Sequence, residues 1–235
     1  IACLVESGTL VEGAQLLLPE PEAHHLKVRR AAPGDAVQLL DGAGSVGAGT
    51  VAVMGRDTMV EVGRVIRHAP LPPLTLMVGA GDRERFEWLA EKCAEFEVTE
   101  LIPLVTARSE SVAGRVRDTH LGRIARRARE AIKQSGAPWT PRIGPLTTVE
   151  AACARFPEGT RWLADAQGPS PRRGTGAPAV AVIGPEGGLT APERERFVVA
   201  GFVPVRLGPH VLRFETAALA VAALVRSAHS GGIDA

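Results

Sequence analysis

Cysteine is scarce in this sequence. Only three of its 235 residues are cysteines, Cys3, Cys93 and Cys153, and they are widely spaced with no CxxC pair. An odd number without close pairing argues against a disulfide framework and against a zinc site, so no metal is expected. Long apolar runs are also absent, because none approaches the roughly 18 residues that a membrane span needs. With no signal-like segment either, the sequence predicts a cytoplasmic protein without a membrane partner.

Lysine is equally scarce, with 3 residues against 24 arginines. The planar fork of arginine suits bidentate contacts with phosphate, although a coding bias toward arginine codons would give the same count. The net charge of +1 hides a local concentration, since residues 115–133 hold seven basic side chains and two acidic ones. This segment predicts a basic helix, which could bind phosphates or simply be a solvated helix face.

Several common catalytic motifs are missing. The sequence has no G-x-x-x-x-G-K-[ST], no G-x-S-x-G and no H-E-x-x-H, which removes the sequence basis for the common ATPase, serine hydrolase and zinc protease classes. Its composition, 45% hydrophobic and 23% charged, is typical of a soluble globular chain of one or two domains with an ample core.

Two styles of sequence meet near residue 70. Residues 1–67 show short apolar runs separated by glycine, proline and aspartate, which predict a small β-barrel-like domain. The runs are Gln15–Leu18, Ala36–Leu40, Thr50–Val53 and Met59–Val65. The proline-rich stretch at 68–73 predicts a linker. Residues 74–235 then alternate between strand and helix patterns, which predicts an α/β domain with a mainly parallel sheet.

The second domain can be divided into elements by periodicity. Predicted strands are Leu74–Val78, Glu100–Val105, Arg161–Ala164, Ala179–Ile183 and Val203–Leu207, with a Gly/Pro/Arg loop at 167–178. Predicted helices are Arg83–Val98, Asp118 to Gly136, Val149–Phe156, one from Pro192 and Ala217–Val225. The helix after Asp118 has a buried stripe, and most of its arginines fall off that stripe. The stripe consists of Leu121, Ile124, Ala125, Ala128 and Ile132.

Two glycine patterns resemble dinucleotide sites but lack parts of the required context. Residues 42–47, GAGSVG, match G-x-G-x-x-G, yet a β-like segment follows, so no helix N-terminus would meet a pyrophosphate and a hairpin turn is predicted. Residues 79–84, GAGDRE, lie between a predicted strand and helix, but Glu84 stands where the third glycine belongs. A nucleotide site there is weakly supported.

Two later loops fit better the context of a ligand-binding loop between a strand and a helix. Gly184, Gly187 and Gly188 follow a predicted strand and allow close approach of backbone to a ligand. Thr190 and Glu193 form a capping-box pattern behind them, although a tight turn without ligand would need the same residues. Residues 207–219 follow the next strand and contain Arg213 and Glu215, which could act in a shared pocket or could pair with other charges around a helix capped at Thr216.

The same two loops carry a family resemblance. IGPEGGLTAPE (183–193) followed by LGPHVLRFETAAL (207–219) resembles the RsmE family, the 16S ribosomal RNA uridine-N3 methyltransferases of the SPOUT superfamily. Three further segments are similar to motifs of that family, so agreement covers nearly the whole chain. They are HHLKVRRAAPGD (24–35), EKCAEFEVTELIPLVTARS (91–109) and EAIKQSG (130–136).

The resemblance implies a PUA-like β-barrel followed by a SPOUT domain, an α/β fold with a C-terminal trefoil knot, a rare exception to unknotted chains. It also implies S-adenosylmethionine as cofactor, 16S rRNA of the 30S ribosomal subunit as partner, and a homodimer. By position, the donor pocket would be lined by Leu163, Ala164, Ile183, Gly184, Gly187, Gly188, Leu207, Gly208, Val211, Leu212 and Thr216. Main-chain groups and apolar walls suit an adenine and a sulfonium, which bring no phosphate.

Uridine itself sets the chemistry that the resemblance implies. Its N3 becomes nucleophilic only after losing a weakly acidic proton, so a general base and alignment with the methyl group are needed, but no metal. Arg213 could stabilise negative charge on the uracil carbonyls, while Glu215 or Glu186 could accept the proton or orient Arg213. Because N3 lies on the pairing edge, the base must be unpaired or flipped out.

Clustered cations would hold the RNA through its phosphates. The candidates are His24, Arg29, Arg30, Arg108, Arg123, Arg126 and Arg127. His24 and His25 could instead pack at the edge of the barrel.

The chain departs from the family pattern at three positions. Arg29 stands where an apolar residue is usual, Glu97 replaces a usual glycine, and Ala137 stands where an arginine commonly follows Gln-Ser-Gly. The last departure weakens that loop as an RNA contact, and none falls in the expected donor pocket. Three functions therefore remain open: the rRNA uridine-N3 methyltransferase, a SPOUT methyltransferase for another RNA, and a non-enzymatic RNA-binding or ribosome-assembly protein.

Overall fold

The computed structural model describes residues 1–109, 118–156, 159–171 and 179–227. Arg115 and Arg117 of the predicted basic helix, and residues 172–178 of the predicted loop, lie outside this described part. The chain folds into two compact units. The first comprises Ile1–Pro70 and Arg129–Thr140, and the second comprises Leu71–Ala128 and Pro141–Ala235.

The first unit is built on a five-stranded sheet. Its strands are β1 (Ala2–Leu4), β2 (Gln15–Leu17), β3 (Ala36–Leu40), β4 (Ser45–Val53) and β5 (Met59–Arg67). Their order is β1-β3-β4-β5-β2, with β1 parallel to β3 and the other pairs antiparallel. Register shifts in β4 mark bulges that bend a sheet. The strands expected from the apolar runs are confirmed.

Sequence patterns missed one helix in this unit, α1 (Glu20–Val28). Its apolar face is small, since Leu26 is the buried apolar residue of the helix, so helical periodicity was hard to see. The start is nevertheless well formed, with Glu20 and Glu22 in the first turn, where acidic side chains are stabilised by the helix dipole.

The GAGSVG pattern is a hairpin, as predicted, because Leu40 pairs with Val46 across the β3–β4 turn. Packing explains its glycines. A Cβ on Gly44 would lie 2.4 Å from the Trp139 ring, and both Gly42 and Gly44 have positive φ. The hairpin is also hydrogen-bonded to the segment after the basic helix, for example from Gly44 N to Pro138 O at 2.9 Å.

The second unit has a seven-stranded sheet in which every pairing is parallel. Its strands are β6 (Leu74–Gly79), β7 (Glu100–Val105), β8 (Arg142–Ile143), β9 (Thr147–Thr148), β10 (Thr160–Ala164), β11 (Ala179–Ile183) and β12 (Val203–Val205). The order is β12-β10-β11-β6-β7-β8, with β9 also paired to β7. The predicted parallel α/β sheet is confirmed, although β12 ends two residues earlier than expected.

Helices cover both faces of this sheet. They are α2 (Arg83–Glu95), α4 (Val149–Arg155), α5 (Ala191–Val199), α6 (Phe214–Arg226) and the part of α3 (Asp118–Ser135) up to Ala128, since the rest of α3 belongs to the first unit. Strand β6 shows that both faces are covered, because consecutive side chains of a strand point to opposite faces. Leu76 packs in a core with α2 and α6, whereas Met77 packs in a core with α4 and α5. Among the described residues, no helix is long and apolar enough to cross a membrane.

The buried stripe predicted for α3 is confirmed, since Ile124, Ala128 and Ile132 are at most 2% exposed. Two other helix boundaries were wrong. Helix α2 ends at Glu95 rather than Val98, because Glu97 takes the left-handed conformation with φ 48°. That backbone explains why the family favours glycine there. Helix α6 starts at Phe214 rather than Ala217.

The earlier start of α6 excludes the predicted helix cap at Thr216. Arg213 occupies the N-cap position in an extended conformation and makes no side-chain cap hydrogen bond. Thr216 therefore lies inside the first turn. Phe214, only 2% exposed, anchors the start of the helix in the core, so burial rather than a capping side chain determines where α6 begins.

A buried arginine joins the end of α6 to the end of α2. Arg226, 8% exposed, donates hydrogen bonds to the carbonyl oxygens of Phe96 (3.0 Å), Glu97 (2.6 Å) and Pro72 (2.8 Å). The bonds to Phe96 and Glu97 satisfy carbonyls just beyond the end of α2, and the bond to Pro72 joins α6 to the segment before β6.

We expect Arg226→Met to lower the free energy of unfolding by about 2–4 kcal/mol, because the charge-assisted hydrogen bonds of a buried arginine to three carbonyls are lost. Urea denaturation followed by circular dichroism would measure it. Arg196→Met is the matched control, since the Arg196–Glu150 ion pair is exposed and should contribute little. Equal effects of the two substitutions would contradict a structural role for Arg226.

Candidate functional site

A cavity of about 250 Å³ lies in the second unit, at the carboxyl ends of β10, β11 and β12. Because β10 pairs in parallel with both β11 and β12, the three ends lie along one edge of the sheet, where open α/β sheets bind ligands. The lining residues are Ala164, Asp165, Ala166, Ile183, Gly184, Pro185, Glu186, Gly188, Leu189, Arg194, Arg206, Leu207, Gly208, His210, Val211, Leu212, Phe214 and Ala217.

Most residues predicted for the donor pocket line this one cavity. They are Ala164, Ile183, Gly184, Gly188, Leu207, Gly208, Val211 and Leu212. Three others lie outside the lining. Leu163 is buried in the core on the α4 and α5 face, Gly187 lies against Arg108, and Thr216 is exposed on α6. Strand alternation accounts for Leu163, because neighbouring strand residues point to opposite faces.

Polar residues of the lining were missed by sequence reasoning. Asp165, Arg194, Arg206 and His210 all line the cavity, and Asp165 forms an ion pair with Arg194. Asp165 also accepts a hydrogen bond from Gln167 N at 3.0 Å. One signal was available, since Asp165 directly follows a predicted strand at the edge where ligands bind.

The loop Gly184–Thr190 is held tightly beside the cavity. Gly188 N donates to Pro185 O at 2.7 Å, and Gly188 has φ 70°. The loop also packs on the GAGDRE segment, because a Cβ on Gly79 would lie 2.4 Å from Pro185 N and a Cβ on Gly81 would lie 2.5 Å from Glu186 Oε2. The glycines of GAGDRE therefore make room for the neighbouring loop.

Glu186, a predicted catalytic residue, is exposed and lines the cavity. Its Oε1 accepts a hydrogen bond from Asp82 N at 3.4 Å, directly before α2 begins. A carboxylate in this position is favoured by the positive end of the helix dipole. Glu186 is thus an oriented anion at the rim of the cavity.

The predicted catalytic residues Arg213 and Glu215 lie in different surroundings. Arg213 is exposed, and its guanidinium has no hydrogen bond or ion pair within the described part of the chain. Glu215 is 8% exposed, and its Oε1 lies 3.8 Å from Arg85 Nη1. Its Oε2 is buried with no hydrogen-bond partner among the described residues. The two side chains do not pair with each other.

Most of the candidate RNA-binding arginines of α3 already have carboxylate partners. Arg123 Nη2 lies 3.0 Å from Glu87, and Arg127 Nε lies 2.5 Å from Glu91. Glu87 is buried, which would raise its carboxyl pKa, but hydrogen bonds from Arg123 and Arg83 outweigh burial and lower the pKa. Arg126 is exposed, and its guanidinium has no partner among the residues that the structure describes.

The remaining RNA candidates differ in their surroundings. His24 is exposed in the middle of α1, and Arg29 and Arg30 are exposed directly after the helix, with Arg30 at φ 57°. His25 is half-buried. Arg108 instead donates from Nη1 to Gly187 O, beside the cavity. Within the described ranges, no cluster of three or more His, Cys, Asp or Glu residues could hold a metal.

Comparisons with known proteins agree with this geometry. A family model described as an RNA methyltransferase domain matches residues 67–226, and one described as an RNA methyltransferase PUA domain matches residues 18–60. The curated relatives include ribosomal RNA small subunit methyltransferase E of Synechocystis, 31% identical over 91% of this chain and 73% of that protein. The protein of the same name in Mycobacterium tuberculosis is also 31% identical, over 93% of this chain and 88% of the relative.

Solved structures share the whole fold. Ribosomal RNA small subunit methyltransferase E from Neisseria gonorrhoeae, crystallised with S-adenosylmethionine, aligns with a TM-score of 0.84 over 97% of both chains at 24% identity. A probable rRNA methyltransferase from Porphyromonas gingivalis aligns with a TM-score of 0.77 over 91% of this chain and 94% of its own, at 28% identity. The resemblance found in the sequence is confirmed, and this chain belongs to the RNA methyltransferase family of the ribosomal RNA small subunit methyltransferase E type.

Proposed function

We propose that this protein transfers a methyl group from S-adenosylmethionine to N3 of a uridine in 16S rRNA of the small ribosomal subunit, in the cytoplasm. The cavity between the two glycine-containing loops carries the proposal. Relatives named as small subunit methyltransferases support the substrate class. A similar fold crystallised with S-adenosylmethionine supports the donor. The choice of uridine N3 rests on the family.

The lining fits a donor of this kind. Ile183, Leu207 and Leu212 provide apolar walls for an adenine. Gly184 and Gly188 carry no side chains, so their main-chain groups are accessible to a ligand. Of the two arginines in the lining, Arg194 is already paired with Asp165, so this pair adds no net positive charge to the cavity.

Arg213 is proposed to stabilise the substrate anion. When bound, S-adenosylmethionine supplies an electrophilic methyl group on a sulfonium. Loss of the N3 proton leaves negative charge on the uracil ring and its carbonyl oxygens, and an oriented guanidinium lowers the energy of that charge. Arg213 does not itself line the cavity, but it directly precedes Phe214 of the cavity wall, and no described carboxylate occupies its exposed guanidinium.

Glu186 is the better candidate for the proton acceptor. It lines the cavity and is exposed, so its carboxylate can reach a substrate. Glu215 is buried beside Arg85 and does not line the cavity, which suits a role in holding α6 against α2. In this scheme the N3 proton passes to Glu186 first, and the N3 anion then attacks the methyl group.

A homodimer is part of the proposal. Trp88 on α2 is 41% exposed, and an exposed aromatic of this size is common at protein interfaces. Sedimentation equilibrium would distinguish a dimer of the 24.7 kDa chain from a monomer. A monomer at micromolar concentration would contradict this part of the proposal.

Two measurements test the proposed function against its alternatives. Calorimetry with S-adenosylmethionine should detect binding, and its absence would favour a non-enzymatic RNA-binding protein. Labelled methyl transfer should then be compared between 30S subunits and bulk tRNA, with nucleoside analysis of the product. We expect 3-methyluridine from the 30S subunits. Another modified nucleoside, or transfer to tRNA alone, would favour a methyltransferase for a different RNA.

Arg213→Ala should lower kcat by about 100-fold, the usual cost of losing one group that stabilises a developing anion. The Kd for S-adenosylmethionine, measured by calorimetry, should change less than about threefold, roughly 0.65 kcal/mol. Arg213→Lys keeps the charge and should retain part of kcat. Parallel losses of kcat and donor affinity would identify Arg213 as a structural residue instead.

Arg126→Ala should weaken binding to 30S subunits by several-fold and reduce the slope of log affinity against log salt by about one. Arg123→Ala is the matched control on the same helix, and its effect should be smaller because Glu87 already neutralises Arg123. Filter binding at several salt concentrations measures both. A larger loss with Arg123→Ala would show that the ion pair opens to bind RNA.

A further inference from the structure

One carboxylate joins two loops that are distant in sequence. Glu193 is 7% exposed, and its Oε1 accepts a hydrogen bond from Ala107 N at 2.7 Å. Its Oε2 accepts from Thr190 N and from Thr190 Oγ1, both at 2.8 Å. The bonds to Thr190 belong to the capping box of α5. The bond to Ala107 plays no part in the cap, and it fastens the loop after β7 to the loop after β11.

A second contact joins the same loops. Arg108 Nη1 donates to Gly187 O, and the stem of Arg108 covers Gly187, where an added Cβ would lie 3.3 Å from Arg108 Cβ and Cδ. The first residues after β7 are themselves joined by hydrogen bonds. Thr106 N donates to Ser109 Oγ at 3.1 Å, and Ser109 N donates to Thr106 O at 2.9 Å.

Neither Glu193 nor Arg108 lines the cavity, whereas the loop that they hold does. Gly184, Glu186 and Leu189 belong to this loop and to the lining. Backbone in a loop rich in glycine has many alternative conformations, so an outside contact is needed to select one. Glu193 supplies such a contact through an ionised group, whose hydrogen bonds are stronger than those of a neutral one.

We infer that Glu193 is a positioning residue for the methyl-donor pocket, with Arg108 as its neighbour in the same task. It preorganises Gly184–Thr190 by tying that loop to Ala107, and the bound loop then offers its main-chain groups in fixed places. The identity of the ligand rests on the proposed function, but the preorganisation of the loop does not. Arg108 would then hold a loop of the donor pocket rather than bind an RNA phosphate.

The ionisation of Glu193 agrees with this role. Burial alone would raise its pKa, but hydrogen bonds from the backbone of Thr190 and Ala107, from the Thr190 hydroxyl, and the charge of Arg108 outweigh burial and lower the pKa. A lowered pKa in the folded state stabilises the protein above the pKa of an unfolded glutamate. That stabilisation is lost as the pH falls through the folded pKa.

Three substitutions separate the loop link from the helix cap. Glu193→Gln keeps the shape, and glutamine is accepted in a capping box, but its amide has only one oxygen for donors on both sides. Thr190→Ala removes the capping hydroxyl and leaves the Glu193–Ala107 bond. Thr148→Ala is the matched control, because it removes a similar N-cap from α4, outside the cavity lining. Melting temperatures calibrate the general loss of stability.

Two readouts then test the inference, calorimetry with S-adenosylmethionine and hydrogen exchange of the peptide containing residues 184–190. Glu193→Gln should raise the donor Kd by about tenfold, roughly 1.4 kcal/mol, and speed exchange of the loop. Thr148→Ala and Thr190→Ala should change the Kd less than threefold, even where their melting temperatures fall as far as that of Glu193→Gln. An unchanged Kd and unchanged exchange in Glu193→Gln, or an equal Kd change in Thr148→Ala, would overturn the inference.

An Arg108 variant and hydrogen exchange in the absence of donor complete the test. Arg108→Ala should also weaken donor binding, whereas weaker binding to 30S subunits with unchanged donor Kd would return Arg108 to a phosphate-binding role. If the unsubstituted protein does not bind S-adenosylmethionine, the proposed function fails. Hydrogen exchange still decides the positioning role in that case, because faster exchange in Glu193→Gln alone supports it and unchanged exchange refutes it.

Discussion

The parallel hydrogen bonding of β12, β10 and β11 is the constraint on which the site depends. Parallel strands place their carboxyl ends at one edge, so the segments that follow β11 and β12 must meet there although some twenty residues of chain separate them. The cavity lies where these segments meet. The glycines permit the close approach, Phe214 anchors one wall, and the capping box of α5 turns the chain away.

Several charges on the helices of this protein are arranged in pairs. The basic helix carries a large positive excess in sequence, yet Arg123 and Arg127 are bound to carboxylates on α2. Burial of Glu87 makes its pairing with arginine necessary, because an isolated buried carboxylate would be costly. Local charge in a sequence therefore overstates the field that an RNA would meet. Arg126 and Arg213 are among the arginines that no described carboxylate neutralises.

Glycine patterns illustrate how much depends on spatial neighbours. GAGSVG and GAGDRE both look like nucleotide-binding sequences, but in each case glycine makes room for another part of the chain. Gly44 makes room for Trp139, and Gly81 makes room for Glu186. The positive φ of Glu97 is the converse case, a position that suits glycine and holds another residue. A glycine in a sequence does not show which atoms occupy the space that a side chain would have filled.

Local order and family membership could be predicted from the sequence alone, because periodicity reports which face of an element is buried and the two loop motifs are specific. The strands of the second unit, the stripe of α3 and half of the residues that line the cavity followed from them. Tertiary structure alone decided that Glu215 is buried while Arg213 is exposed, and that Arg123 pairs with Glu87. It also decided that α6 begins at Phe214 and that Glu193 accepts a hydrogen bond from Ala107. These features depend on contacts between residues distant in the chain, and such contacts leave no periodic trace in the sequence.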